Sequence, residues 1–306
     1  MSTDLTLAAP GFTIVRAAKY FSLCENYREL TGEGPHPMKI GAQTHHSSAI
    51  SGSNAETILV RGHDLAHELV GRVSFTEHFW LLVTGAMPSE VQRRMLDATL
   101  VAIAEHGLVP SVQASRMTYA AAPEALQGAV AAGILGCGSV ILGAAEAAGR
   151  LLAEVRQRAE QGTPIAEAAA TVVRAYRAER RAIPGYGHPL HKGADPRAAR
   201  LFEVAAELGC AGQHIASAQA VEQALPGIVG KPLVLNVSGA IPAVLLDAGY
   251  PLTALKGIPI LARTASLIAH LTEEQTRPIG FVLSHAASQA VDYDGPAPDG
   301  FRESDE

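Results

Sequence analysis

Segments in which alanine and leucine recur at helical spacing make up most of this sequence, and they limit the fold that it can adopt. Runs that alternate between polar residues and valine, isoleucine or threonine, the usual mark of β-strands, are scarce. Only 5% of the residues are aromatic. With 306 residues, the chain is long enough to bury a sizeable core without disulfide bonds or a structural metal. We therefore expect an all-α fold.

Capping residues and glycines divide the chain into predicted helices. Ser74 and Glu77 have the spacing of a capping box, which predicts a helix that ends at Gly85. Residues 124–160 are rich in small side chains and then in charges. They predict one helix that is buried at one end and emerges into solvent at the other. Further helices are predicted at residues 88–107, 165–182, 196–208, 238–249 and 251–275.

Net charge and cysteine usage exclude several classes of function. The formal net charge is -6 at pH 7, whereas a broad nucleic-acid surface normally needs a basic face. No apolar run reaches about 18 residues without a glycine or a charge, and the N-terminus lacks the pattern of a signal peptide. The cysteines are scattered without metal-binding spacing, which fits a reducing compartment: Cys24, Cys137 and Cys210. We predict a cytoplasmic protein that binds neither nucleic acid nor membranes.

Two groups of residues resemble ligand sites only superficially. Gly136, Gly138 and Gly143 lack the spacing of a dinucleotide fingerprint, no predicted strand precedes them, and no lysine followed by serine or threonine completes a phosphate loop. Close packing of helices explains these glycines better. His188 and His191 are separated by a proline, which argues against the shared helix face that paired zinc ligands often use. We expect no metal site.

Residues 183–197, "IPGYGHPLHKGADPR", concentrate residue types that the rest of the chain uses sparingly. Gly185 and Gly187 allow the backbone to approach a ligand closely, and the prolines on either side restrict the backbone further. His188 is therefore expected on a rigid turn rather than on a mobile loop. Such a turn is a usual way to present a catalytic imidazole.

Two basic residues follow this histidine. Arg197 comes after an Asp-Pro pair at a predicted helix start, where its guanidinium could hold a carboxylate through two parallel hydrogen bonds. Lys192 could contact a phosphate. The alternative interpretation of the whole stretch is an ordinary connector whose charges are solvated.

Five segments, in the same order, resemble the citrate synthase superfamily. The stretch "PGYGHPLHKGADPR" is similar to that family's Pro-Gly-x-Gly-His signature, which ends in Asp-Pro-Arg. The other four segments are "ILVRGHDLAHELVGRVSFTEHFWLLVTGAMPSE", "AEHGLVPSVQASR", "NVSGAI" and "LARTASLIAHLTEEQTRP". The short chain, together with "PSVQASR" and "AVAAGILGCG", makes the sequence most similar to citryl-CoA lyases, the compact members related to the C-terminal part of ATP-citrate lyase.

The resemblance implies an all-α, citrate synthase-like architecture with a cleft between two helical domains. The large domain is expected to contain residues 36–142 and 250–306, and the small domain, which carries the Gly-His loop, residues 143–249. Residues 1–35 would form an N-terminal extension. The resemblance also implies a homodimer that binds an acyl derivative of coenzyme A and a carboxylate substrate, without a metal.

The same resemblance implies roles for individual residues. His188 stands where the family has a histidine that contacts the carbonyl or hydroxyl oxygen at the bond being made or broken, and His106 where it has a histidine on the oxaloacetate side. Three arginines are expected to bind substrate carboxylates, the last of them, by a looser match, from the partner subunit: Arg197, Arg263 and Arg277. Coenzyme A is expected to contact the glycine loop and a basic residue near its phosphates: Gly185, Tyr186, Gly187 and Lys192.

Two positions depart from the pattern of synthases. Ile141 stands where synthases have a histidine at the entrance to the small domain, and because citryl-CoA lyases also lack this histidine, the change favours a lyase. Ser238 replaces the aspartate that moves the proton on the methyl carbon of acetyl-CoA. A positioned acid or base contributes a factor of about 10²–10⁴ in rate, and a serine hydroxyl cannot replace a carboxylate directly. Ser238 would hold a water that delivers the proton, or act on a substrate whose own carboxylate assists; a nucleophilic role lacks an identifiable base.

The sequence leaves three functions open. The first is a lyase that cleaves a citryl-CoA-type thioester to acetyl-CoA and a 2-oxo acid such as oxaloacetate, or the reverse condensation, and it rests on His106, His188, Arg197 and Arg263. The second is a non-catalytic binder of coenzyme A esters, which Ser238 motivates. The third is altered chemistry on the same scaffold, such as thioester hydrolysis.

Overall fold

The computed structural model describes residues 47–138, 143–187 and 193–300. These described residues are 63% helical and include few strands, which confirms the prediction of an all-α fold. The helices in the described residues are α1 (Phe75–Thr84), α2 (Glu90–Ala104), α3 (Pro110–Ala121), α4 (Leu126–Leu135), α5 (Ala144–Glu160), α6 (Ile165–Ala178), α7 (Pro196–Glu207), α8 (Gln213–Val229), α9 (Val237–Asp247), α10 (Gly257–Glu274) and α11 (Gly280–Gln289).

A small antiparallel sheet precedes the helices and was not predicted. Its strands are β1 (Ser51–Ser53), β2 (Ile58–Val60) and β3 (His63–Asp64), in that order, with Ser51 opposite Val60 and Leu59 opposite Asp64. A single π-helical turn, Leu65–Leu69, follows and leads the chain towards α1. The strands are too short for an alternating pattern to identify them in the sequence.

Capping boxes begin both of the first two helices. Ser74 Oγ accepts a hydrogen bond from the Glu77 N–H, and the Glu77 carboxylate accepts one from the Ser74 N–H, as the sequence predicts. Gly85 ends α1 with a φ of 81°, a left-handed value that suits glycine. Ser89 and Gln92 form the same reciprocal pair at the start of α2.

The single helix predicted for residues 124–160 is wrong, because the structure divides this region into α4 and α5. Gly136 and Gly138 follow α4, and glycine is a poor residue for continuing a helix. The helix predicted for residues 251–275 is also shorter, since a 3₁₀ turn at Leu252–Ala254 precedes α10. Sequence patterns missed α3, α8 and α11 entirely.

Helix α9 lies at the centre of the main core. It packs against α2, α5, α7 and α8. Nearly every side chain along it is buried, and Ile241 and Leu245 have no exposed surface. The largest cluster of buried apolar residues continues from Trp80 to Ala262, so one core joins the first helices to α10. This central position fixes the start of α9, where Ser238 lies.

Helix α10 packs against α2, α3 and α4, and α11 packs against α3. Leu252–Glu274 is the one stretch, within the described parts of the chain, that is long and apolar enough to cross a membrane. Ile258, Leu267 and Leu271 in it are fully buried inside the protein, as in the core helix of a globular fold.

Residue contacts group the chain from Ile50 onward into one compact unit, so the division at residues 142/143 and 249/250 stays a prediction. The extension at residues 1–35 lies outside the described residues.

Candidate active site

The Gly-Tyr-Gly loop at residues 185–187 is fixed on both sides. Gly185 and Gly187 have φ values of 86° and 84°, which side chains other than glycine rarely adopt. Between them, Tyr186 is buried, and its hydroxyl donates a hydrogen bond of 2.9 Å to the Ala218 carbonyl in α8. The loop therefore has one conformation that the core supports.

This loop is hydrogen-bonded to the segment that begins α9. The Gly187 N–H donates to Val234 O at 2.7 Å, and the Asn236 N–H donates to Gly185 O at 2.9 Å. The Asn236 side chain donates to Gly187 O at 2.7 Å. These bonds use the Gly187 N–H and the carbonyl oxygens of Gly185 and Gly187, which were predicted to line the coenzyme A site. Coenzyme A would therefore contact other atoms of the loop.

The same contacts place Ser238 beside the glycine loop. Ser238 lies in the first turn of α9, half-buried, and its N–H donates to Asn236 Oδ1 at 2.9 Å. A Cβ added at Gly185 would lie 2.6 Å from the Cα of Gly239, so both positions require glycine. Two motifs that are about fifty residues apart in sequence thus meet at one corner, as expected if both serve one site.

Arg197 is held by a buried carboxylate at the start of α7. Its Nε and Nη2 donate to the two oxygens of Asp195 at 3.0 and 2.9 Å. The predicted two-bond fork therefore faces Asp195, which leaves the N–H groups outside the fork, among them those of Nη1, for a substrate carboxylate. Asp195 also accepts the Val237 N–H at 2.9 Å, which ties the start of α7 to the start of α9.

The ionisation of Asp195 reflects this pairing. Burial acts to raise the pKa of its carboxyl, but the hydrogen bonds from Arg197 and from the Val237 N–H outweigh burial and hold the pKa below its ordinary value. Asp195 is thus a fixed anion that orients Arg197 and the turn that carries Ser238.

Arg263 is a buried cation in α10 that the described residues leave incompletely paired. The residue is 3% exposed, and its Nε and Nη1 have no hydrogen-bond partner among them. Burial lowers the pKa of the guanidinium, the charges of Glu105 and Cys137 oppose that shift, and the like charge of Arg197 adds to it. The charges of Arg197 and Arg263 therefore act on each other, and the carboxylates of Asp195 and Glu105 partly balance them.

Glu105 anchors the exposed loop that carries His106. One oxygen accepts the Gly107 N–H at 2.5 Å. The other accepts the Ser266 hydroxyl and faces His270 Nε2 at 3.1 Å. Burial would raise the pKa of Glu105, but these hydrogen bonds outweigh it and hold the pKa below its usual range. His106 thus follows a fixed carboxylate whose charge acts on Arg263.

Arg277 lies apart from these groups. Its side chain is 80% exposed, with Nη1 at 3.9 Å from Glu273 Oε1. Its carbonyl accepts a hydrogen bond of 2.9 Å from the buried Arg116. The described chain does not bring the Arg277 side chain to the region of Arg197 and Arg263, so the predicted role in a partner's site stays a prediction.

Five residues named from the sequence lie outside the described residues: Cys24, Ile141, His188, His191 and Lys192. Within the described ranges, no group of three or more histidine, cysteine, aspartate or glutamate side chains is placed to hold a metal ion.

Sequence reasoning missed five polar residues that shape the site: Glu105, Ser111, Asp195, Asn236 and Ser266. Only Asp195 and Asn236 gave a local signal, because each has the residue type of a helix N-cap.

The family profile for the citrate synthase C-terminal domain matches residues 74–280, more than half of the chain. The chain belongs to the citrate synthase family. The matched residues include the glycine loop, Arg197, the start of α9 and Arg263. The resemblance stated from the sequence is therefore confirmed.

Solved structures of other proteins extend this assignment. The citryl-CoA lyase from Hydrogenobacter thermophilus is 33% identical to this family member, with a TM-score of 0.73, over 84% of this chain and 97% of that one. A comparison with curated proteins found no match.

Two more distant structures share the citrate synthase fold. The ATP citrate lyase from Methanothrix soehngenii, in complex with citrate and coenzyme A, is 20% identical, with a TM-score of 0.66, over 98% of this chain and 48% of that one. The citrate synthase from Thermoplasma acidophilum is 18% identical, with a TM-score of 0.58, over 75% and 59% of the two chains.

Proposed function

We propose that this member of the citrate synthase family cleaves a citryl-CoA-type thioester to acetyl-CoA and a 2-oxo acid such as oxaloacetate, or catalyses the reverse condensation. The similarity to a citryl-CoA lyase, at 33% identity over 97% of that chain, carries this proposal. The incompletely paired Arg263 supports it, because a substrate rich in carboxylates needs cationic partners.

The proposed cleavage moves one proton from oxygen and returns one to carbon. A base takes the proton of the substrate hydroxyl, the C–C bond breaks, and its electron pair forms the enolate of acetyl-CoA. Protonation of the enolate carbon then completes acetyl-CoA. His188 is the candidate on the oxygen side, and His106, on the loop that Glu105 anchors, is the candidate on the oxaloacetate side.

Ser238 decides how the carbon is protonated. It lies in the first turn of α9, half-buried beside the glycine loop. We propose that its hydroxyl holds the water that protonates the enolate. The contact between Gly185 and Gly239 supports a shared position for this hydroxyl and the glycine loop.

We extend the proposal to the ligands of the site. Coenzyme A would contact the glycine loop (Gly185, Tyr186, Gly187), with Lys192 near its phosphates, as the family resemblance implies. Arg197, through Nη1, and Arg263 would bind substrate carboxylates. We propose a cytoplasmic location, and a cleft between the two domains predicted from the sequence, for this site.

Adjacent exposed apolar side chains on α11 support a homodimer. Phe281 and Val282 are 69% and 63% exposed, and contiguous exposed apolar surface often marks an interface. In such a dimer, Arg277 would reach the partner's site. Light scattering after size exclusion measures the mass, which is expected at twice that of one chain.

The decisive experiment incubates the purified 306-residue chain with citryl-CoA and separates the products by chromatography. Acetyl-CoA and oxaloacetate in equal amounts are expected. Citrate with free coenzyme A would instead indicate thioester hydrolysis. Binding of citryl-CoA without any product would indicate the non-catalytic binder that Ser238 motivates, and either result would refute the lyase.

Two variants refine this test. His188→Ala is expected to lower kcat by a factor of about 10²–10⁴ with little change in affinity. Ser238→Asp restores the carboxylate that synthases have. If Ser238 belongs to a proton path that differs from that of the synthase aspartate, Ser238→Asp is expected to lose citryl-CoA cleavage. A large gain in cleavage would show that the site is adapted to a substrate other than citryl-CoA.

A further inference from the structure

Besides Arg263, one polar side chain near the candidate site is buried without a partner. Ser111, in the first turn of α3, is 1% exposed, and its Oγ has no hydrogen-bond partner of normal geometry within the described chain. Buried hydroxyl groups are nearly always hydrogen-bonded, because an unsatisfied one loses its bonds to water without replacement. An unpaired hydroxyl beside a candidate site therefore points to a ligand.

Ser111 and Arg263 lie on helices that meet at the end of α4, and both interact with Cys137 there. A Cβ added at Gly133 would lie 2.8 Å from Ser111 O and 2.6 Å from Leu267 Cδ1, so α3, α4 and α10 are in contact there. Arg263 lies one turn before Leu267 in α10, and Cys137 lies one turn after Gly133. Burial raises the pKa of the Cys137 thiol, while contact with Ser111 and the charge of Arg263 both oppose that shift.

We infer that Ser111 and Arg263 together form a buried subsite for one carboxylate group of the substrate. This inference rests on the proposed function for the identity of the ligand, and it adds Ser111 as a residue that determines specificity. A hydroxyl donor next to a guanidinium provides hydrogen bonds of two different strengths to one anion.

The charges around this subsite favour a carboxylate. Arg197 adds a second positive charge. Glu105 acts on Arg263 through its charge, but its own oxygens accept hydrogen bonds from Gly107, Ser266 and His270. The donors of Arg263 therefore stay available, while a negative charge nearby disfavours an anion with more than one charge. A carboxylate carries a single charge, whereas inorganic phosphate carries more than one at neutral pH.

A second serine on the same helix provides a matched control. Ser115 lies one turn after Ser111 and has no exposed surface. Its hydroxyl donates a hydrogen bond of 2.8 Å to the Ala129 carbonyl. The two residues have the same side chain, the same helix and the same burial, and they differ in whether the protein satisfies the hydroxyl.

The experiment compares Ser111→Ala and Ser115→Ala by calorimetric titration with oxaloacetate and by thermal unfolding. Ser111→Ala is expected to weaken oxaloacetate binding by a factor of about 10–100, the worth of a hydrogen bond to a charged group. Its Tm is expected to fall less than that of Ser115→Ala, because the Ser111 hydroxyl makes no normal hydrogen bond among the described residues and interacts there with a thiol, a weak partner. Ser115→Ala is expected to lower Tm by about 2–4 °C and to leave oxaloacetate affinity unchanged. Phosphate at equal concentration is not expected to compete.

The result that overturns the inference is parental oxaloacetate affinity in Ser111→Ala, or an equal loss in both variants. If the parent protein still cleaves citryl-CoA in that case, the proposed function stands and only the subsite is wrong. Conversely, weakened oxaloacetate binding in Ser111→Ala, in a protein that does not cleave citryl-CoA, supports the subsite and refutes the proposed reaction. If the parent protein binds neither oxaloacetate nor citrate, both are wrong.

Discussion

Two buried arginines on neighbouring helices have opposite surroundings. Arg116 in α3 is 2% exposed, and it donates to Glu274 at 2.5 Å, to Glu273 at 2.9 Å and to the Arg277 carbonyl. Arg263 in α10 is similarly buried, yet its Nε and Nη1 find no partner in the described part of the chain. A buried charge that the protein pairs supports the fold, whereas one that it leaves unpaired is available to a ligand.

The two arginines are linked through α10. His270 Nδ1 faces Arg116 at 3.4 Å, and its Nε2 faces Glu105 at 3.1 Å. Because the guanidinium can only donate, an Nδ1 that accepts from Arg116 leaves Nε2 to donate to Glu105. His270 thus connects Arg116 to Glu105. The negative charge of Glu105 in turn acts on Arg263 and raises its pKa.

The largest expected effect concerns the paired arginine. Arg116→Met is expected to lower the free energy of unfolding by about 3–5 kcal/mol, because the buried carboxylate of Glu274 loses its counter-charge. Denaturant titration measures this loss. Adding Glu274→Gln provides the control, since the amide oxygen can still accept the N–H groups of Ile279 and Gly280. A double variant no more stable than Arg116→Met would show that the ion pair is not the cause.

The unpaired arginine is expected to respond in the opposite way. Arg263→Met removes an incompletely paired buried charge, so the free energy of unfolding should stay within about 1 kcal/mol of the parent or rise. In contrast, kcat/KM for citryl-CoA is expected to fall by a factor of about 100, because a charge-assisted hydrogen bond to the substrate is lost. Denaturant titration and steady-state kinetics on the same preparation give both numbers. A loss in free energy of unfolding as large as that of Arg116→Met would show that the two arginines do not differ in their contribution to stability.

Local patterns predicted the parts of this fold that depend on neighbours in sequence. The capping box of Ser74 and Glu77 and the end of α1 at Gly85 follow from residues within one helix, and the structure has both. The break between α4 and α5 was missed, because glycines in a small-residue helix and glycines at its end look alike in sequence.

The candidate site shows the same limit. Motifs named Gly185, Ser238, Arg197 and Arg263, but not what each would contact. That Asp195 occupies the fork of Arg197, and that Ser111 remains unpaired, depends on residues brought together from distant segments. Patterns along one chain carry no information about such contacts.

The third prediction concerns Asp195, the carboxylate that pairs with Arg197 in the candidate site. Asp195→Asn is expected to lower the free energy of unfolding at pH 7 by about 2 kcal/mol, since charge-assisted hydrogen bonds to Arg197 and Val237 are weakened. The folded pKa of Asp195 lies below its ordinary value of 3.8, so its contribution is complete above that pH and disappears as pH falls through the folded pKa. The variant should therefore lose stability less steeply in acid than the parent.

Asp247 provides the control for Asp195. Asp247 accepts hydrogen bonds from the His214 side chain and from the N–H groups of Gly212, His214 and Ile215. The bonds from the His214 side chain and from the His214 and Ile215 N–H groups outweigh burial and hold its pKa low as well. Asp247→Asn is expected to reduce the acid dependence too, but only Asp195→Asn should raise the KM for the carboxylate substrate, because only Asp195 orients Arg197. An equal rise in KM in both variants would mean that Asp195 acts on stability alone.

The smallest expected effect concerns an unpaired hydroxyl without a charge beside it. Tyr250 is 2% exposed, its Oη has no partner among the described residues, and burial alone raises its pKa to about 12. Its ring packs edge-on against Trp80, with centroids 5.3 Å apart. Tyr250→Phe keeps this packing and is expected to raise the free energy of unfolding by up to about 1 kcal/mol, with unchanged oxaloacetate affinity. Ser111 differs from Tyr250 because the incompletely paired Arg263 lies near it. Weaker oxaloacetate binding in Tyr250→Phe would therefore contradict the view that a nearby cation distinguishes the ligand site.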